Sequence, residues 1–306
     1  MFKRLFLILS AVLCCAALAM LMMTAPAVAA DPTPTPAAFM PLPEPTEGLV
    51  DEAALASIDL RALPILPDFS ANAEYLRSIY AEGKRRALNS SAFSKVGDCM
   101  TASPNFLIPF AAGGYTLADY ASLEDVISRF NVPVRDALTS LSNPSLAAES
   151  GFNAASVLDA TWSDPALCDF DESPLACEYR YSQPAFAVIL FGTNDMKSLT
   201  TAQFDFYLRR VLVETVNNEP GFIDQSMLYN RIVVKAAADY NLPLINLWRA
   251  FEPLPYQGID PNEPTHMTKP ESGNVASFAA EDLQAGHNLH NLLTLQALEA
   301  LLAVLE

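Results

Sequence analysis

Strand-length apolar runs alternating with amphipathic helical stretches predict an α/β protein with a parallel, doubly wound sheet. Residues 185–191, AFAVILF, form an unbroken apolar run, the pattern of a strand buried on both faces. Residues 92–96 and 242–248 (LPLINLW) are further runs of strand length. Before and between them, residues 71–88 and 200–217 carry apolar side chains at helical spacing: Leu76, Ile79 and Tyr80 in the first, and Phe204, Phe206, Tyr207, Val211, Leu212 and Val216 in the second.

Residues 1–30 come first and are set apart from the fold. Lys3 and Arg4 precede an apolar run that closes in Ala27-Val28-Ala29-Ala30, the pattern of a cleaved secretory signal peptide. An uncleaved anchor is the competing reading, because the run approaches the ~20 residues that span a bilayer. Residues 31–49, with proline every few positions, are expected to form an extended linker. Residues 50–306 then read as one domain, with no internal repeat or second linker.

Within that domain the helix at 71–88 ends in Lys84-Arg85-Arg86, cations suited to a helix C-terminus. It leads into the strand at 92–96, which closes in Gly97-Asp98-Cys99. Beyond a Gly113-Gly114 break, Leu117, Tyr120, Leu123, Val126, Ile127 and Phe130 have helical spacing. Residues 140–149 are a polar connection, and Gly151 and Asn153 open a short helical pattern. The strand at 185–191 ends in Gly192-Thr193-Asn194-Asp195. After the helix at 200–217, NNEPGFIDQ reads as a turn with at most residues 221–223 extended, so the sheet is expected to be short of one central strand. Residues 226–240 form a helix, 242–248 a strand, and 290–305 a leucine-dense helix. His287 and His290, at its start, read as polar N-terminal groups.

The net charge of −17 excludes non-specific nucleic-acid binding, which depends on neutralising phosphates with Lys and Arg. Of the 5 cysteines, Cys14 and Cys15 lie in the leader. Cys168 and Cys177 bracket a polar loop, CDFDESPLAC, and a short-loop disulfide between them is expected in an exporting compartment. Cys99 is left as the odd thiol, to be explained by burial or by chemistry. Asp169, Asp171 and Glu172 lack EF-hand spacing and read as a solvated loop, so no metal is expected.

The corners GDC at 97–99, GTND at 192–195 and EPTH at 263–266 occur in an order that resembles the SGNH/GDSL hydrolase family. Its members carry Gly-Asp-Ser early, Gly-x-Asn-Asp in the middle and Asp-x-x-His late. The resemblance runs from Phe93 to the C-terminus. It implies a flavodoxin-like three-layer α/β/α sandwich with a five-stranded parallel sheet, and hydrolysis of esters, including those on acylated carbohydrates. Carried over, Cys99 stands at the nucleophile position, His266 at the general base, Asn194 at the oxyanion-hole side chain and Glu263 at the carboxylate that orients the base. Gly151, in GFNA, stands for the backbone N–H of the oxyanion hole. Acyl transfer needs these types: a nucleophile beside a base, a group fixing the base, and donors aimed at the developing oxyanion.

The sequence departs from the family in three places. Cysteine replaces serine, glutamate followed by proline replaces aspartate with Asp260 as the alternative partner, and the 217–225 segment is short. The expectation is a secreted or cell-envelope hydrolase acting on a carbohydrate or lipid acyl ester by nucleophilic acyl transfer. It uses no cofactor, no metal, no nucleic acid and no membrane span once the leader is removed. The alternative is an inactive module of the same fold that binds carbohydrate or a cell-surface ligand. Oligomeric state is left open.

Overall fold

A computed structural model describes residues 38–46, 48, 50–218, 223–224 and 230–306, all within one compact unit, Pro36–Glu306. The expected signal segment lies outside the described residues. In chain order the elements are α1 (Glu52–Ala56), α2 (Ala73–Arg85), β1 (Asn89–Gly97), α3 (Ile108–Ala111), α4 (Leu123–Phe130), β2 (Pro133–Arg135), β3 (Leu138–Thr139), α5 (Pro174–Ser182), β4 (Pro184–Leu190), α6 (Asp195–Ser198), α7 (Thr201–Asn218), β5 (Ile223–Asp224), α8 (Asn230–Asp239), α9 (Leu247–Phe251) and α10 (Gly286–Leu305).

The sheet is parallel in the order β1-β4-β5, and β2 and β3 make a separate antiparallel hairpin. β1 and β4 run in register from Phe93 opposite Phe186 to Gly97 opposite Leu190. Successive side chains of a strand face opposite sides of its sheet. Phe186, Val188 and Leu190 accordingly enter one core with α2, α4 and α10, whereas Ala187, Ile189 and Phe191 enter a second with α5, α7 and α8. Helices thus cover both faces, which is why β4 reads as a continuous apolar run. α10 is long and apolar enough to cross a membrane, but here it is a core helix, with Leu292, Leu295, Leu298 and Leu301 buried.

The structure differs from the sequence expectations at four places. The lane expected to be short of a strand holds β5, whose Ile223 and Asp224 pair with Ala187 and Val188; residues 219–222 and 225–229 lie outside the described residues. Residues 242–248 do not form a strand. The Asn246 N–H is spent on Ile65 O (2.8 Å), and its side chain caps α9 by accepting from Arg249 N (3.1 Å). Pro243 offers no ladder donor. The expected helix from Leu117 begins only at Leu123, because Thr116 is taken into a bridge with Ser277. The folded unit also starts earlier than residue 50. Leu42 is buried, and its backbone is held at both ends by the Asn217 amide (2.6 and 2.8 Å).

Cys168 and Cys177 are disulfide-bonded across nine residues of sequence. In the chain-entropy description, closing so short a loop stabilises by about 2–3 kcal/mol. Ser173 caps the helix that carries Cys177, accepting from Ala176 N (3.2 Å) ahead of Pro174 at the first helical position. In the intervening loop Glu172 is bound by Arg180 at 2.7 Å.

Candidate active site

The carboxyl ends of β1 and β4 lie side by side, and two of the three sequence corners, at 97–99 and 192–195, leave from them. Ligands collect at such strand ends in parallel sheets. Gly97 makes the first corner possible by close approach. A Cβ there would lie 2.2 Å from Leu190 O and 2.3 Å from Thr101 Oγ1. The chain then turns through Asp98, whose carboxylate accepts from Met100 N (3.0 Å), while Asp98 O receives Ala102 N (2.9 Å). Cys99 stands half-buried on this turn.

The second corner is tied down by Asp195, which is fully buried and accepts from Gly192 N (2.9 Å) and Ala154 N (2.8 Å). Asn194 donates from Nδ2 to Phe152 O (2.9 Å), drawing the 151–154 segment to the same strand end. That bond leaves the second amide N–H of Asn194 unspent. The Gly151 N–H likewise has no acceptor among the described residues, and Gly151 is exposed. Asp98 and Asp195 are therefore braces, and Asn194 and Gly151 hold the donors still available.

His266 sits on a loop between two anchors. Its Nδ1 is 2.9 Å from Glu263 Oε2. Asp260, the other candidate partner, spends its side chain on Asn262 N (2.8 Å). Two residues on, Thr268 donates its N–H to Gly258 O (2.8 Å) and receives Gly286 N on Oγ1 (2.8 Å) and His287 N on its carbonyl (3.1 Å). This docking depends on a glycine at 286, where a Cβ would fall 2.2 Å from Gly258 O. No hydrogen bond joins the Cys99 thiol to His266. The charge of His266 is felt instead at Asp98 and at His287.

His287 and His290 are not solvated cap residues. Both are buried: His287 Nε2 faces Asn105 Nδ2 at 3.5 Å, and His290 stacks on Phe106 with ring centroids 4.4 Å apart. Asn291, one residue on, accepts from Leu107 N (3.0 Å) and donates to Asn105 O (2.9 Å) and Val275 O (3.1 Å). The first turns of α10 thus clamp the loop behind Cys99 to the loop bearing His266. The available signal was a polar stripe, His287, His290, Asn291 and Thr294, in a helix otherwise rich in leucine.

Electrostatically the site favours neutral groups. Burial, then the charge of Asp98, push the Cys99 thiol up, while its own N–H, Lys197 and the Met100 N–H pull the other way. Burial pushes Asp98 up to about 6. Burial, followed by the charges of Lys269 and His266, holds His287 down to about 4, and burial takes His290 down to about 3. Since the Asn105 amide can only donate through Nδ2, His287 Nε2 must be the acceptor, as a neutral ring allows.

These shifts act on stability in opposite directions. Below pH 6.5 the unfolded chain takes up protons that the two folded histidines refuse, so their contribution is lost as pH falls. Asp98 is protonated in the folded state from about 6 downwards, before the unfolded chain at 3.8, so it adds stability over that window. Burial also pushes Asp195 and Glu214 up, and the Arg180 side chain draws Glu172 down. The difference between wild type and Asp98→Asn isolates the one group. The variant is expected to lose stability between pH 6 and pH 4 more steeply than wild type, by up to about 1.4 kcal/mol per pH unit. Urea midpoints measured at each pH check this, and parallel pH profiles would refute it.

No protein-family model matches the chain, and no curated protein matches it either.

Proposed function

We propose that the protein is an SGNH-like hydrolase that cleaves a carboxylic ester of a carbohydrate or lipid through Cys99. The observation that carries the reading is the meeting of three separated segments, at Cys99, Gly151 and Asn194, around the carboxyl ends of β1 and β4, with the charge of His266 acting on Asp98 beside Cys99. The parallel bridge between Gly97 and Ala148, on the far side of β1, supports a flavodoxin-like lane order of 148-β1-β4-β5. The Cys168–Cys177 disulfide suits an extracytoplasmic setting.

In the proposed reaction His266 takes the thiol proton as Cys99 Sγ attacks the ester carbonyl carbon. The carbonyl electrons move to oxygen, and the resulting oxyanion is met by the free N–H groups of Asn194 and Gly151. As the carbonyl re-forms, the C–O bond to the alcohol breaks and His266 returns the proton to the leaving oxygen. A thioester remains on Cys99. Water, deprotonated by His266, attacks it, the C–S bond breaks, and the acid and free thiol are released. Glu263 holds His266 with Nδ1 protonated and Nε2 free to act as base.

Turnover of short-chain 4-nitrophenyl esters tests this. Cys99→Ala is expected to abolish turnover, and His266→Ala to lower kcat/KM roughly 10²–10⁴-fold. Turnover that survives both substitutions would overturn the assignment. A second reading, a binding module without catalysis, is favoured by the raised Cys99 thiol and its missing bond to His266. It predicts carbohydrate binding with no turnover and no effect of Cys99→Ala.

A further inference from the structure

The chain carries a net charge of −17, and its cations are mostly spoken for. Among the described residues all but two of the Lys and Arg side chains engage a carboxylate, a polar oxygen or an aromatic ring. Arg180 binds Glu172, Arg209 and Lys235 share Asp239, Arg249 donates to Leu63 O, and Arg210 acts on Glu214 one turn along α7. Two lysines have no such partner among the described residues, Lys197 and Lys269, and both are exposed.

Both belong to the site. Lys197 lies on α6 three residues after Asn194, its N–H bonded to Asn194 O (3.1 Å), and its charge is felt at the Cys99 thiol. Lys269 follows Thr268, the anchor of the His266 loop, and its charge is felt at His287. Lys197 therefore stands one turn after Asn194, and Lys269 on the segment that carries His266. No ion pair joins either lysine to an acid among the described residues. Asp98 and Asp195 are buried on backbone N–H groups, and Glu263 is bonded to His266.

We propose that the ester this site accepts is itself an anion, carrying a carboxylate beyond the scissile bond, and that Lys197 and Lys269 are the residues that select for it. A lysine acts as a compact point charge on a flexible stem, suited to an anionic group whose position varies among substrates. The inference rests on the acyl-transfer reading for the word ester, but the anion preference is measurable without turnover.

Iodoacetate and iodoacetamide alkylate a thiolate by the same displacement of iodide and differ in one negative charge. Their rate ratio at Cys99, read on the Cys99 peptide of the full-length protein by mass spectrometry, cancels the thiolate fraction and reports the local field. Lys197→Ala is expected to lower the iodoacetate-to-iodoacetamide ratio roughly two- to threefold, the size Coulomb's law gives for an exposed charge at short range, and Lys269→Ala, which removes a charge acting at His287, is read in the ester comparison below. Lys197→Arg should keep the ratio, and ~0.5 M salt should flatten the differences. The second arm compares kcat/KM for 4-nitrophenyl hemisuccinate and 4-nitrophenyl butyrate, with the hemisuccinate expected to lead by several-fold and to lose that lead in both variants. A ratio unmoved by Lys197→Ala overturns the proposal, as does a Cys99 silent to both reagents or an enzyme that prefers the neutral ester. If the ratio falls as expected while neither ester is cleaved, the anion site stands and the hydrolase reading fails.

Discussion

Glu178→Ala is expected to remove roughly 3–5 kcal/mol of stability, the cost of breaking a buried charge network on one side. Glu178 is fully buried on α5. It accepts from Ser94 Oγ (2.7 Å), Ser182 Oγ (2.8 Å), Asn143 Nδ2 (3.2 Å) and Leu146 N (2.9 Å), and Arg135 Nη1 lies 4.0 Å away. Lys95, also buried, is drawn down to about 8 by burial, and the charge of Glu178 works against that fall. Removing the carboxylate leaves two hydroxyls, an amide, a backbone N–H and two cations without their common acceptor. A fall in Tm of about 6–20 °C follows, taking about 2–4 °C per kcal/mol for a domain of this size. Glu178→Gln, which keeps shape and one carbonyl oxygen, should fall between. A Tm for the alanine variant within about 2 °C of wild type would show that the network is not holding the 139–146 loop to β1.

Gly97→Ala is expected to cost about 3 kcal/mol and to disorder the Cys99 corner. The new methyl group meets Leu190 O at 2.2 Å and Thr101 Oγ1 at 2.3 Å, one of them backbone of the neighbouring strand. Overpacking of this kind forces backbone movement, and the upper part of the usual ~1–3 kcal/mol range applies because a strand cannot rotate away as a side chain can. β1 and β4 must open at their carboxyl ends, loosening Asp98 N to Leu190 O (3.4 Å) and Gly97 N to Ala147 O (3.0 Å). Two measurements together check this: a lower Tm, and faster alkylation of Cys99 as the turn that half-buries it opens. Wild-type values of both would show that the corner tolerates a Cβ.

The fold was readable where one strand or helix decides its own burial. β4 is apolar at nearly every position because cores lie on both its faces, and α2 and α7 repeat their apolar side chains at helical spacing. It was unreadable where a partner decides. Residues 242–248 have the composition of a strand, but a strand exists only against a neighbour, and Asn246 gives its N–H to Ile65 and its side chain to α9. Leu117 and Tyr120 pack against the core from a turn, which imitates helical spacing. The candidate site divides the same way. Its corners are visible as Gly, Asn and Asp at strand ends, because those residues make turns. His287 is not, since its part lies in what α10 brings together, and the two lysines stand out only once every other cation has been matched to a partner.

No side chain hydrogen-bonds the half-buried thiol of Cys99 among the described residues, while Gly97, Asp98 and Thr101 around it are all engaged. The corner is thus held by the neighbours of residue 99 and not by residue 99. Exchange between cysteine, serine and alanine there should leave folding nearly untouched, so the scaffold is indifferent to the chemistry it displays. Mutation can change the side chain displayed at this position without passing through an unfolded protein, whereas the same freedom does not exist two residues earlier, at Gly97.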